Sequence, residues 1–240
     1  GAREIYQEGL RIPPVRIVAA GERNEELLSV LLANVRDPAE RRADLRAQIA
    51  ANERAEERLA ALQSDHGRDR LRAAFEAVID YSGQRMAAAI GDLPNGNYTA
   101  TDVLEGDGIS TADIPIKVRL TISNDSLTVD FAGTAPQVDG NLNAPQSVTK
   151  SAVYFVVRAV TDPGIPPNHG CYRPVSIEIP SGSVLDPDSP AAVVGGNVET
   201  SQRVTETVLS AFANAVPDEL PAQGQGTMNN LTIGSRDGEG

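Results

Sequence analysis

Ile114-Pro115-Ile116-Lys117-Val118-Arg119-Leu120-Thr121-Ile122-Ser123, then Asn124-Asp125, then Ser126-Leu127-Thr128-Val129-Asp130-Phe131, is the stretch that decides the fold class. Ile116, Val118, Leu120 and Ile122 fall at every second position, the period of a strand with one buried face. Leu127, Val129 and Phe131 repeat that alternation, and Asn124-Asp125 between the two runs suits a tight turn. A hairpin with one apolar face has to be covered by another layer.

Upstream the period is helical. Asn24 can cap a helix carrying Leu27, Leu28, Leu31, Leu32 and Val35. Asp37-Pro38-Ala39-Glu40 is a start signal: Asp37 as cap, Pro38 at the first helical position, Glu40 closing a capping box. The helix that follows is rich in Ala, Glu, Arg and Leu, which favour helix intrinsically. Its apolar stripe (Leu45, Ile49, Leu59, Leu62) is thin. After His66-Gly67 a third helix runs to about Ile90, with Leu71, Phe75, Val78, Ile79 and Met86 at helical spacing. The second and third helices are expected to form an antiparallel hairpin. The period changes at Leu93-Pro94-Asn95-Gly96.

Downstream of the hairpin come a polar loop (133–145), a buried helix (148–160), a Pro-rich loop, and a strand at 175–179. A short strand at 191–194 and a helix from Thr200 to about Val216 are expected next. The fold class is therefore α+β: an N-terminal helical hairpin followed by a mixed, largely antiparallel sheet with packed helices. The expected division is a helical region, 1–91, and a sheet region, 92–240.

The net charge is −12 over 240 residues, distributed as −1 in 1–91 and −11 in 92–240. Nucleic acid is excluded as a partner, because phosphate contacts need clustered Lys and Arg. No stretch approaches the ~20 apolar residues of a membrane span. Cys171 stands alone, which fits a reducing, cytoplasmic compartment. The ends, without an initiating Met and just past an apolar run at 231–233, read as those of a fragment.

The usual catalytic signatures are missing. There is no phosphate loop with a Lys, no nucleophile elbow and no His-Glu-x-x-His. His66 sits in a helix–helix turn. His169, two residues before Cys171, is either a ligand or thiol activator or part of a turn. Two polar clusters remain. In Gly195-Gly196-Asn197-Val198-Glu199-Thr200-Ser201-Gln202-Arg203, glycines permit close backbone approach beside amides, an acceptor and a charge. In Gln223-Gly224-Gln225-Gly226-Thr227-Met228-Asn229-Asn230, consecutive amides suit an amide-like or carboxylate ligand. Both clusters also fit structural turns.

These two clusters resemble the hydantoinase B family, which includes subunits of N-methylhydantoinase and 5-oxoprolinase and relatives in acetone and acetophenone carboxylases. Glu4–Pro14, Leu32-Ala33-Asn34-Val35-Arg36, Asp130-Phe131-Ala132-Gly133-Thr134, Asn143-Ala144-Pro145, Ile165-Pro166-Pro167-Asn168 and Tyr172-Arg173-Pro174 extend the resemblance along the chain. It implies a cytoplasmic, ATP-dependent hydrolase of small cyclic amides, working as an oligomeric complex with a hydantoinase A-type subunit that binds ATP. Asn197, Glu199, Gln202 and Arg203 are then the catalytic candidates. Gly196, Thr200, Gln225, Gly226, Asn229 and Asn230 are the substrate-binding candidates. No metal ligand is assigned to this chain; ATP and a divalent metal are implied for the full complex. A ketone carboxylase subunit and a non-catalytic assembly module are the alternatives.

Overall fold

The protein is described by a computed structural model covering residues 1–228. Two compact units divide it: Leu10–Val78, and Gly1–Gly9 together with the described residues from Ile79 on.

In the first unit, Val18–Ala19 (β1) and Glu22–Arg23 (β2) pair antiparallel. Glu25–Ala33 (α1) follows, and the Asn24 side chain accepts from the Leu27 N–H at 3.0 Å, as the sequence leads one to expect. Pro38–His66 (α2) begins with proline, but the expected capping box does not form: the Asp37 side chain accepts no capping bond. Glu40 pairs instead with Arg41 at 2.5 Å. Gly67, at φ +78°, ends α2 and leads into Arg68–Gly91 (α3). α2 fully buries no residue; of its thin stripe Leu45 and Ile49 are half-buried and the later part stays open. Leu59, Leu62, Phe75 and Val78 are all exposed.

The boundary between the units falls inside α3, whose later residues Ser82, Met86 and Ile90 are buried. The four-stranded sheet of this second unit runs β3 (Gly96–Leu104), β4 (Ile114–Ser123), β5 (Ser126–Asp130), β6 (Val175–Glu178). The first three are antiparallel, and β6 joins β5 in parallel, so the sheet is mixed as expected. Leu120 faces Val129 and Ile122 faces Leu127 across the hairpin. Asn124 turns it at φ +54°, a conformation asparagine tolerates better than most residues.

Every second residue of β4 is buried. Gln146–Val160 (α4) and Thr200–Ala213 (α5) cover the sheet, with α5 packed on β3, β4 and α4. Val153, Val156, Val204, Val208 and Phe212 join Ile116, Leu120, Val129 and Phe131 in one core. Each such fully buried side chain contributes about 1.5–3 kcal/mol.

The expected strand at 191–194 is absent. Ala191 makes only an isolated bridge to Glu4. The N–H groups of Val193 and Val194 donate instead to the Glu8 carboxylate at 2.9 Å, so they are unavailable to a ladder.

Two buried polar side chains hold the long loop after β5. The Asn143 side chain accepts from the Val138 N–H and donates to the carbonyls of Val138, Gly140 and Ala192, at 2.8–3.0 Å. The Asp107 carboxylate accepts from the N–H groups of Ile109, Ser110 and Gly140, at 2.6–2.9 Å. Burial pushes the Asp107 carboxyl up, but the N–H donors of Ser110, Ile109 and Gly140 outweigh it and hold it below the ordinary carboxylate range.

A depressed folded value makes this group's contribution complete above the unfolded carboxylate value, about 3.9, and lost as pH falls through its lower folded value. Comparing urea unfolding of wild type and Asp107→Asn, the gap should be full above about pH 5 and narrow steadily below about pH 4. A gap independent of pH would contradict this assignment.

Candidate functional site

The head of α5 is fixed by close backbone packing. Gly195–Asn197 forms a 3₁₀ turn, and both glycines are buried against the 141–143 segment. The Gly196 N–H donates to the Asn141 carbonyl at 3.2 Å. A Cβ on Gly196 would lie 2.1 Å from the Asn143 carbonyl oxygen, and one on Gly195 would lie 2.9 Å from that of Asn141. Only glycine fits at either position. Thr200 is buried, and its hydroxyl donates to the Leu142 carbonyl. Gly196 and Thr200 therefore shape the turn, and Glu8 braces its approach.

The remaining candidates separate onto two faces of α5. Asn197 and Gln202 line a groove of about 430 Å³ between α4 and α5. Asn197 is exposed and Gln202 half-buried. Among the described residues the Asn197, Gln202 and Glu199 side chains have no hydrogen-bond partner. Ser147, Ser151, Ser201 and Thr205 add hydroxyl groups to the groove, while Val148, Ala152 and Phe155 give it an apolar wall. Phe155 is 63% exposed, unusual for a phenylalanine on a packed helix.

Arg203 points to the other face. Its guanidinium donates to Asp102 on β3 at 2.8 Å, with the two side chains only 16% and 20% exposed. It also reaches the Gln225 carbonyl at 3.4 Å. Gly226, at φ +69°, lies against the guanidinium, where a Cβ would come within 3.0 Å. Gln223 donates to the same Asp102 carboxylate at 3.3 Å, and the Gly224 N–H donates to Glu206 at 3.1 Å. Arg203, Gln225 and Gly226 thus form a clamp that straps 223–226 onto α5 and β3. Asn229 and Asn230 lie outside the described residues.

The histidines take no part. His66 is the exposed last residue of α2, and His169 is exposed at the head of the 3₁₀ turn His169–Tyr172. Cys171 is buried, with its thiol donating to the Pro166 carbonyl at 2.9 Å and accepting from Arg158 at 3.4 Å. Among the described residues no group of three or more His, Cys, Asp and Glu side chains could hold a metal ion. The divalent metal that the resemblance implies does not fit the side chains in view.

Sequence reading did not single out Glu8, Asp102 or the α4 side of the groove. The available signal was the pairing of small hydroxyl residues four apart, Ser147 with Ser151 and Ser201 with Thr205, on two amphipathic helices.

Substituting Arg203 by Met should release the 223–226 strap. Loss of a charge-assisted bond of this kind costs about 2 kcal/mol locally. The Gly224 N–H should then exchange with deuterium at least tenfold faster while amides of β4 are unchanged; an unaltered Gly224 rate would show that the strap is held otherwise.

A family model described as Hydantoinase B/oxoprolinase matches residues 1–240. An uncharacterized protein of Methanocaldococcus jannaschii is 39% identical over 98% of the chain and 41% of its own length. The 5-oxoprolinase 1 of Arabidopsis thaliana is 37% identical over 97% of the chain and 20% of its own length. Among solved structures, ATP-dependent caprolactamase from Pseudomonas jessenii superposes with a TM-score of 0.84 at 33% identity, over 91% of this chain and 38% of that one. The chain thus spans less than half the length of the relatives it matches.

Proposed function

The chain belongs to the hydantoinase B/oxoprolinase family, and from that membership we propose that it forms part of the B-type subunit of an ATP-dependent cyclic-amide hydrolase. The observation that carries this reading is the pair of unengaged amides, Asn197 and Gln202, at the edge of a groove whose floor is fixed by Gly195 and Gly196. Caprolactamase, hydantoinase and oxoprolinase names among the relatives supply the reaction class.

An unstrained ring amide is a poor electrophile. In the proposed reaction an A-type partner subunit uses ATP to phosphorylate the ring carbonyl oxygen. Water then adds to that carbon and the C–N bond breaks, leaving an acyl phosphate and a freed amine. A second water hydrolyses the acyl phosphate, so the products are ADP, phosphate and the open-chain acid. Catalysis at this chain is the placement of donors where charge develops. Asn197 and Gln202 hold the ring and its oxygen, and Glu199 supplies the nearby acceptor. Gly196 and Thr200 fix the turn, while Arg203, Gln225 and Gly226 hold the following segment in place. Asn229 and Asn230 complete the amide set.

Oligomeric assembly and a cytoplasmic location belong to the same proposal. No helix among the described residues is long and apolar enough to cross a membrane.

In the complete enzyme, Asn197→Ala and Asn229→Ala should each lower ATP-dependent ring opening more than tenfold with unchanged thermal unfolding. Wild-type rates in both variants would sink the site assignment, and incorporation of labelled bicarbonate without ring opening would replace the hydrolase by a carboxylase.

One observation favours a second role for the first unit. Leu59, Leu62, Phe75 and Val78 are each at least 40% exposed on long, charge-balanced helices. Such a stripe suits docking of another helix of the complex. Leu59→Glu with Phe75→Glu should weaken capture of the A-type partner at least tenfold in a pull-down, and undiminished capture would remove this role.

A further inference from the structure

The groove between α4 and α5 carries a selection rule that the family does not fix, since 5-oxoproline bears a carboxylate and a simple lactam or hydantoin does not. The side chains lining the groove include no charged group. Three hydroxyls on its walls have already committed their single proton. Ser151 donates to the Ser147 carbonyl at 2.8 Å, Ser201 to that of Asn197 at 2.8 Å, and Thr205 to that of Ser201 at 2.9 Å. A hydroxyl in that state presents only lone pairs to a ligand.

The neighbouring cations do not line the groove. The Lys150 ammonium donates to the Gln146 side chain at 2.7 Å, and Arg203 is paired with Asp102 on the opposite face of α5. Glu199 occupies the N-cap position of α5, where its charge complements the helix end and repels a second anion. The chain as a whole carries −12. A carboxylate entering this groove finds no counter-charge among the lining side chains, only the neutral donors of Asn197, Gln202 and Ser147, and it also loses its hydration.

A neutral ring finds the opposite. Its N–H can donate to the Ser151, Ser201 or Thr205 oxygens. Its carbonyl can accept from the Asn197 and Gln202 amides, and its methylene face can lie on Phe155, Val148 and Ala152. The volume of about 430 Å³ falls within the range of small-molecule sites.

We propose that this groove selects uncharged cyclic amides or ureides bearing a ring N–H, and discriminates against rings that carry a carboxylate. The inference rests on the hydrolase reading for its catalytic meaning, but it is a statement about binding and is tested as such.

The assembled enzyme, without ATP, is titrated calorimetrically at pH 7 with hydantoin, δ-valerolactam and 5-oxoproline. At least one neutral ring should bind ten times or more tighter than 5-oxoproline. Ser151→Arg, an exposed position on α4, should reverse that preference by at least tenfold, because it brings a cation to the groove. Equal or tighter binding of 5-oxoproline by wild type overturns the proposal, as does a Ser151→Arg variant with unchanged preference. Adding ATP separates the two readings. Ring opening without the binding preference leaves the hydrolase and removes the selection rule. The preference without ring opening leaves the selective groove and removes the hydrolase.

Discussion

The contact between the Gly195-Gly196 backbone and the 141–143 backbone is the constraint on which the rest of the site depends. With a would-be Cβ 2.1 Å from the Asn143 carbonyl oxygen, no side chain fits at Gly196. That approach sets where α5 starts, and therefore where Asn197 and Gln202 stand relative to α4. The 141–143 segment is itself held by the Asn143 side chain, which ties it to Val138, Gly140 and Ala192. Asp107 adds a third anchor through Gly140. Asn143, in the Asn143-Ala144-Pro145 stretch, and Asp107 thus serve backbone placement.

α5 divides its labour by face. Val204, Val208 and Phe212 enter the core, so the helix cannot rotate without opening it. With rotation fixed, Gln202 must face α4 and Arg203, the next residue, must face β3. That 100° step between neighbours explains why a polar run compact in sequence becomes two sites in space. The first is open and uncharged. The second is closed, ion-paired and strapped by Gly226.

The hairpin, α4, α5 and the helical first region were legible in the sequence because each carries its own period and local signal. Asn24 as a cap and Asn124 as a turn residue act on atoms within a few residues of themselves. The misreadings share one physical cause, which is competition by other partners, remote in one case and adjacent in the other. The 191–194 segment, Ala-Ala-Val-Val, is a short apolar run that reads as a strand, yet the N–H groups of Val193 and Val194 go to Glu8, which lies 185 residues away from Val193. Asp37 reads as a cap, yet Glu40, which should close the box, pairs with Arg41. In the site, composition identified the polar run but could not show which side of α5 each residue takes. Phe155 was read as part of a buried helix, and its exposure follows from the groove that α5 leaves open beside it.

Under the hydrolase proposal, a neutral groove in a chain of net charge −12 bears on how the chemistry is divided. On that proposal, charge on the substrate is introduced by phosphorylation and meets no cation among the side chains lining this groove. A phosphorylated carbonyl is anionic, and the donors it meets in the lining are the amide N–H groups of Asn197 and Gln202 and the Ser147 hydroxyl. The lining therefore offers no counter-charge to the phosphorylated species or to the equally anionic transition state that follows, and only the amide donors can strengthen as charge builds on the ring oxygen. Under this reading the groove contributes orientation, amide donors and selective admission, and no cation of its own.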